Sequence, residues 1–323
     1  MTEAAASSQA VISSQAVVAT AFGGPDVLTL VDLPIRAPGN GEVLLEVRAA
    51  AINRADVKFY NGAFGTDPCS LPMRLGLEVS GVVAAVGPDV SAVSVGDEVV
   101  AQPVNGGYAQ RVLVAADDVF PKPPGLSFEQ AAGLLMVGGA AAHLVAAAGV
   151  GPGDTVLVHG AGGGVGQVVL QLVLAKRARV IGTASPRRHD DLRALGVEPV
   201  AYGERLADRV RALAPDGIDA ALDTVGTDEA VDVSIELVAD RSRIATIAAF
   251  DRAPGLGIKL LGNGKGADPG DALRAASRSE LLDLARQGMI DVVVDRTYPL
   301  ADVRAAHEYV LSGHAGGKVV LIP

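Results

Sequence analysis

A chain of 323 residues with a single cysteine, Cys69, cannot build an internal disulfide or a cysteine-rich zinc lobe. Tryptophan is absent, and six Phe and five Tyr are the only aromatic residues. Any stacking site must therefore draw on very few side chains. No Lys or Arg precedes Arg36. A secretory leader needs a basic start ahead of its apolar stretch, so no export signal is read here and a cytoplasmic protein is expected. Positive charge is short overall, with 27 Lys plus Arg against 37 Asp plus Glu and a net charge of −10. That balance repels phosphate backbones and argues against nucleic acid as a partner, while leaving room for a small basic patch on one phosphorylated ligand. Long hydrophobic runs are scarce as well. The segment 131–151 carries no charge and is about long enough to span a bilayer, but it is rich in Ala and Gly and has no aromatic belt. Gly151-Pro152-Gly153-Asp154 ends it sharply. It reads as a buried helix, and no membrane span is expected.

What the chain does have is glycine, 39 residues of 323, well above the average of about 7%. Such a share means many turns, or backbone that must come close to something. With 49% hydrophobic residues the chain can bury a large core, and its length suits two domains. Residues 1–16, with Ser-Ser-Gln-Ala-Val at 7–11 repeated at 13–17, read as a flexible tail outside the fold. From 17 to 126, short apolar runs at 43–49, 81–87 and 96–100 are separated by Gly, Pro and Asp, which predicts a β-rich domain. The stretch around Asn53 reads as a loop.

The pattern changes at Ser127-Phe128-Glu129-Gln130, a helix start. Strands at 155–159, 179–183, 219–223 and 243–248 then alternate with helices at 164–175 and 189–195. This alternation predicts an α/β fold with a doubly wound parallel sheet over 127–260. A helix at 279–288 and strands at 292–294 and 318–322 are expected to rejoin the first domain, so that 17–126 and 261–323 form one body with the parallel sheet inserted in it.

The sharpest motif is Val158-His159-Gly160-Ala161-Gly162-Gly163-Gly164-Val165-Gly166, after a strand and opening a helix. Glycines there let backbone N–H groups approach a pyrophosphate at a helix N-terminus. The strict G-x-G-x-x-G spacing fails, since it needs Gly at 167, which is Gln. G-x-x-G-x-x-G fits, through Gly160, Gly163 and Gly166. An NAD site places an acid at the end of the second strand. Here that region is Thr183-Ala184-Ser185-Pro186-Arg187-Arg188, with no acid and two arginines. Guanidinium forks suit a 2′-phosphate, so the expected cofactor is NADPH. Thr224 and Val225 follow another strand end, where the ligand crevice of such a sheet lies.

The chain resembles the medium-chain dehydrogenase/reductase superfamily, and within it the zinc-free quinone oxidoreductases. The likeness rests on Ala51-Ile52-Asn53-Arg54-Ala55-Asp56-Val57-Lys58, Gly76-Leu77-Glu78-Val79-Ser80-Gly81, Gly106-Gly107-Tyr108-Ala109, the glycine loop, Leu222-Asp223-Thr224-Val225-Gly226 and Gly317-Lys318-Val319-Val320-Leu321. It implies a Rossmann domain inserted in a GroES-like catalytic domain, and a homodimer. Zinc-dependent relatives place Cys where this chain has Asn53 and His where it has Leu77, so only Glu78 of that set remains. A catalytic zinc needs about three protein ligands, and no metal is expected.

Without a metal to stabilise an oxyanion, the resemblance favours acceptors that spread charge, namely quinones and α,β-unsaturated carbonyls. It places Asn53 near the nicotinamide and substrate, with Lys58, Tyr60 and Tyr108 as candidate proton donors. It also brings Tyr202 to the adenosine phosphate end, Ile247 to Phe250 along the nicotinamide, and Lys318 as a further cofactor contact. One departure is Ala140, where the family often has a threonine facing the nicotinamide. Two other readings stay open, an enoyl-thioester reductase and an NADPH-binding protein with little turnover.

Overall fold

The computed structural model describes residues 12–323. They divide into two compact units. One comprises residues 12–133, Arg296–Ala315 and Val319–Pro323; the other comprises Leu134–Asp295 and Gly316–Lys318.

The first unit is β-rich. Its strands are β1 (Ile12–Ala19), β2 (Leu28–Ile35), β3 (Glu42–Ala51), β4 (Met73–Arg74), β5 (Val79–Val86), β6 (Glu98–Ala101), β7 (Arg111–Ala115) and β8 (Val119–Pro121), with helices α1 (Arg54–Tyr60) and α2 (Phe128–Ala132). Two sequence expectations fail here. Residues 12–16, assigned to a tail, begin β1, which pairs antiparallel with β2 from Ile12↔Ile35 to Ala19↔Leu28. Residues 16–19 are buried, so the run that looks like a polar repeat is one edge of a core. The rest of that tail, residues 1–11, lies outside the described residues. The stretch after Asn53 is a helix rather than a loop, because Asp56 reaches back to accept the Asn53 N–H at 2.8 Å and closes its first turn. The expected helix start at Ser127 is present as a capping box. Its hydroxyl accepts from Gln130 N and the Gln130 side chain accepts from Ser127 N, worth about 1 kcal/mol.

The second unit holds α3 (Leu135–Ala147), β9 (Thr155–His159), α4 (Gly164–Ala175), β10 (Arg179–Thr183), α5 (His189–Ala194), β11 (Glu198–Val200), α6 (Leu206–Leu213), β12 (Ala220–Asp223), α7 (Asp228–Leu237), β13 (Ile244–Thr246), β14 (Lys259–Leu260) and α8 (Asp271–Arg286). All six strands pair in parallel, in the order β11-β10-β9-β12-β13-β14. This is the doubly wound arrangement. The central strand β9 is fully buried from Val156 to His159, as a strand covered on both faces must be. Strand order reverses between β9 and β12, and sheets of this kind bind ligands beyond the carboxyl ends at such a point.

Helix α8 starts at Asp271, ahead of the expected 279, and belongs to this unit, which therefore runs to Asp295 rather than 260. The reason is packing. A Cβ at Gly138 on α3 would lie 2.8 Å from Leu281, so this glycine lets α8 lie close on α3. Among the described residues no helix is long and apolar enough to cross a membrane. The uncharged segment is instead split by Gly133 into α2 and α3.

The chain then gives β15 (Val294–Pro299), α9 (Val303–Leu311) and β16 (Lys318–Ile322). The expected strand at 292–294 overlaps β15 only at Val294, and the Val293 carbonyl before it accepts the Lys318 N–H at 2.8 Å. Beyond it, β16 pairs antiparallel with β3 at Val320↔Ala51 and Leu321↔Ala50, inside the first unit.

Candidate functional site

In the second unit, strand β9 delivers His159 to the glycine loop and α4 leaves it at Gly164. Gly160 has φ +75°, open to glycine at little cost. Its N–H donates to the Thr183 hydroxyl at 3.2 Å, and its carbonyl accepts the Gly163 N–H at 3.0 Å, closing a tight turn. The Ala161 N–H donates to Thr183 O at 3.0 Å, and the Thr224 hydroxyl donates to His159 O at 2.8 Å. Thr183 and Thr224 thus brace the loop from its two neighbouring strands.

The glycines differ in what they do. A Cβ at Gly166 would stand 2.1 Å from Gly160 O, so the protein's own packing requires glycine there. At Gly162, Gly163 and Gly164 a Cβ would meet no protein atom closer than 3.4 Å. Packing makes no demand for glycine at those three positions, and the space they leave lies at the N-terminus of α4. That end has no side-chain cap and no acid in its first turn. Its first N–H groups have no carbonyl of their own helix to bond, and they carry partial positive charge. The arrangement fits a dinucleotide pyrophosphate.

Two cations flank it. Lys318 is buried, and its stem would lie 3.4 Å from a Cβ at Gly164. Arg188, half-buried, lies over Gly162 and Gly316. One guanidinium nitrogen contacts Asp191 at 3.2 Å, while its Nε is buried without a hydrogen-bond partner among the described residues. An orphaned buried guanidinium N–H calls for an acceptor. Arg187 is exposed beside it, and Ser185 accepts the Arg188 N–H through its carbonyl at 2.9 Å. Val165 is half-buried in the first turn of α4, and Tyr202 and Val225 are exposed. The Ile247 N–H donates to Asp223 O, and the Phe250 ring lies so close to Gly264 that a Cβ there would be 2.3 Å from it.

Several residues that organise this unit escaped the sequence reading. Asp223 accepts from Val225 N and Gly226 N at 2.9 Å each and from the Thr246 hydroxyl at 2.7 Å, shaping the turn after β12. His159 is buried, and burial lowers its pKa to about 4 against the opposing pull of Asp223 and Glu229. In the sequence Gln167 marks only the place of a missing glycine. Its Nε2 is within reach of two carbonyls, at Gly162 and Gly316.

In the first unit, Asn53 caps α1 and is buried. Its Nδ2 donates to Glu78 Oε1 at 3.0 Å. Asp56, also buried, accepts from Asn53 N at 2.8 Å and from Gly76 N at 3.3 Å. The two acids fix the Asn53 side chain and backbone. Lys58 is half-buried on α1, and burial, then the neighbouring Arg54, lowers its pKa. Tyr60 and Tyr108 are fully enclosed. The Tyr60 hydroxyl meets His307 Nδ1 at 3.1 Å, and the Tyr108 ring stands edge-on to the same imidazole. Burial, then Asp56, pushes Tyr60 up to about 12 and Tyr108 well above 10. Both phenols are packed in the core of this unit. Among the described residues no group of three or more His, Cys, Asp or Glu is placed to hold a metal ion.

Comparison with known proteins agrees with this geometry. Residues 39–148 match the alcohol dehydrogenase GroES-like domain, and residues 195–321 match a zinc-binding dehydrogenase domain. The chain is 31% identical to the quinone oxidoreductase of Pseudomonas aeruginosa over 94% of this chain and 98% of that protein. It is 38% identical to the rat synaptic vesicle membrane protein VAT-1 homolog over 65% of this chain, and the match spans only about half, 53%, of that relative. A mycobacterial protein solved in complex with NADPH superposes with a TM-score of 0.83 at 33% identity, covering 96% of this chain and 100% of the other.

Proposed function

Because the chain belongs to the medium-chain dehydrogenase/reductase superfamily, with quinone oxidoreductases among its homologues, we propose that it is an NADPH-dependent oxidoreductase that reduces a quinone or an α,β-unsaturated carbonyl without zinc. The observation that carries the reading is the glycine cradle. Three glycines that packing does not require border the uncapped start of α4, between Lys318 and an arginine with an orphaned buried N–H. The NADPH bound to the mycobacterial neighbour supports the same cofactor class.

When bound, a reduced nicotinamide supplies a hydride to the electrophilic carbon of the acceptor. The protein's part is to hold and orient. Backbone N–H groups of the α4 first turn and Lys318 take the pyrophosphate, and Arg188 with Arg187 takes the 2′-phosphate. Asn53, held by Glu78 and Asp56, presents a fixed polar group. Of the three candidate donors, Lys58 is the one whose ammonium is only half-buried and is made more acidic by its surroundings. It is the favoured proton source, while Tyr60 and Tyr108 are enclosed in the core of the first unit. Zinc does not fit. Asn53 and Leu77 offer no ligand of the required kind, and Glu78 already accepts the Asn53 amide.

The deciding experiment follows loss of the reduced-nicotinamide absorbance after chelator treatment, with NADPH or NADH and a quinone, a 2-alkenal or a saturated ketone. NADPH-selective turnover of the two conjugated acceptors, unchanged by chelation, is expected. Turnover lost on chelation and restored by zinc would defeat the zinc-free reading. Failure of NADPH to bind would defeat the whole of it.

The cofactor preference has its own test. Arg188→Ala combined with Arg187→Ala is expected to weaken NADPH by tenfold or more and leave NADH unaffected. A lost charge-assisted bond costs about 1.5–3 kcal/mol. Arg188→Ala alone should carry most of the loss, since Arg187 is the more exposed. Dissociation constants from cofactor fluorescence check this, and an unchanged NADPH-to-NADH ratio would refute it.

A further inference from the structure

Position 167, where a strict dinucleotide fingerprint has its last glycine, holds a buried glutamine. Its Nε2 donates to Gly162 O in the phosphate loop at 3.0 Å and to Gly316 O in the returning chain at 2.7 Å. One turn along α4, Gln171 donates from Nε2 to Asp291 O at 2.9 Å and accepts the Asp291 N–H at 2.7 Å. The returning segment is tied down from its other side as well. Gly316 N donates to Asp295 Oδ1 at 3.0 Å, and Lys318 N donates to Val293 O at 2.8 Å. A Cβ at Gly317 would stand 2.3 Å from Val293 O, so only glycine lets the chain pass there. Residues 316–318 belong to the parallel-sheet unit, while Ala315 before them and Val319 after them do not.

Both Nε2 donations of Gln167 go to backbone carbonyls, one in the loop before α4 and one in the returning segment. The first holds the Gly162 carbonyl inward. A carbonyl oxygen turned the other way would face incoming phosphate oxygens and repel them. The second holds the strand that carries Lys318 against Gly164. We propose that Gln167 is a positioning residue. Its amide clasps the phosphate loop to the Gly316–Lys318 segment, fixing the loop and Lys318 together in the shape that receives the dinucleotide. This rests on the dinucleotide reading given above.

Three variants test it. Gln167→Leu keeps the volume and removes both donations. Gln167→Glu sets a carboxylate against two carbonyls and can donate only when protonated. Gln171→Leu removes the bonds to Asp291 and the donation to Gln167 O at 3.0 Å, and leaves both donations of the Gln167 side chain in place. Three readouts are used: NADPH dissociation constants by fluorescence, kcat at saturating NADPH, and amide hydrogen exchange of the ligand-free proteins over 160–167 and 316–318. Gln167→Leu is expected to raise the NADPH dissociation constant about tenfold, with kcat at saturating NADPH within twofold of the parent. Exchange should accelerate in both segments together. Measured against the parent at the same pH, Gln167→Glu should bind more weakly at pH 8 than at pH 6, while Gln171→Leu should bind as the parent does. Should Gln167→Leu not fold, the pH dependence of Gln167→Glu decides. Parental affinity and exchange in Gln167→Leu would overturn the proposal. So would a loss of affinity in Gln171→Leu equal to that in Gln167→Leu, which would mean general packing. If the parent protein binds no dinucleotide, the functional reading fails, and the ligand-free exchange still decides whether the clasp exists.

Discussion

Gly166→Ala is expected to reduce NADPH affinity by more than about 100-fold, the loss of two or more charge-assisted backbone bonds. The added methyl would sit 2.1 Å from Gly160 O and 2.9 Å from Gly160 C, and neither is the end of a flexible side chain. The backbone must yield. Gly160 O is the acceptor for Gly163 N, and Gly160 N is tied to Thr183, so moving that carbonyl opens the turn from which the α4 amides are presented. Forcing a methyl into close-packed backbone costs about 1–3 kcal/mol of stability. A lower urea midpoint should therefore accompany the loss of binding. Gly162→Ala separates the two effects. The nearest neighbours of its Cβ are all on Arg188, Cγ at 3.5 Å and Nε at 3.7 Å, both ordinary contacts, so the ligand-free fold should keep its stability. NADPH affinity should nonetheless fall, because the methyl occupies space the ligand needs. Fluorescence titration and urea denaturation of both variants decide the matter. Gly162→Ala binding as tightly as the parent would mean that phosphates do not approach that position.

The glycine loop was readable in the sequence because all its determinants are local. A β-run, a set of glycines at fixed offsets and an apolar helix follow one another within some twenty residues, and the same holds for the β10 end with its two arginines. What stayed hidden depends on partners far along the chain. The Gln167 amide reaches Gly316, 149 residues away, and nothing near position 167 announces that carbonyl. Tyr60 looks like a loop phenol available for chemistry until His307, 247 residues on, closes over it. Strand β1 has too few large apolar residues to stand out, and its burial comes from pairing with β2. Helix α1 has seven residues, too few for periodicity to register. Its start is set by Asp56, whose other contact is Gly76. Apart from the α1 cap, which is local but short, the missing information was tertiary, and the residues it governs are those that hold the candidate site in place.

Acidification is expected to unfold this protein well before its carboxylates are fully protonated. His307 and His159 are buried, and burial lowers both to about 4 from an ordinary value of 6.5. His143 is shifted the same way, burial outweighing Asp268. The unfolded chain takes up protons on these rings near pH 6.5, while the folded chain refuses them until about pH 4. Their contribution is therefore fully present above pH 6.5, declines as pH falls through that window, and is gone below pH 4. For His307 and His159 the loss is on the order of 3 kcal/mol each, and about twice that together. That compares with a total stability of about 5–15 kcal/mol for a typical domain. His307 lies in the β-rich unit and His159 in the parallel-sheet unit, so the slope also reports cooperativity. A single transition should lose up to ~2.7 kcal/mol per pH unit, and two separate transitions half of that each. Urea denaturation at pH 7, 6 and 5 measures it. His307→Gln, which keeps a partner for the Tyr60 hydroxyl and cannot be protonated, should remove the His307 share and leave that of His159. A urea midpoint that stays constant from pH 7 to pH 5 would show that the rings reach water in the folded state, against their burial.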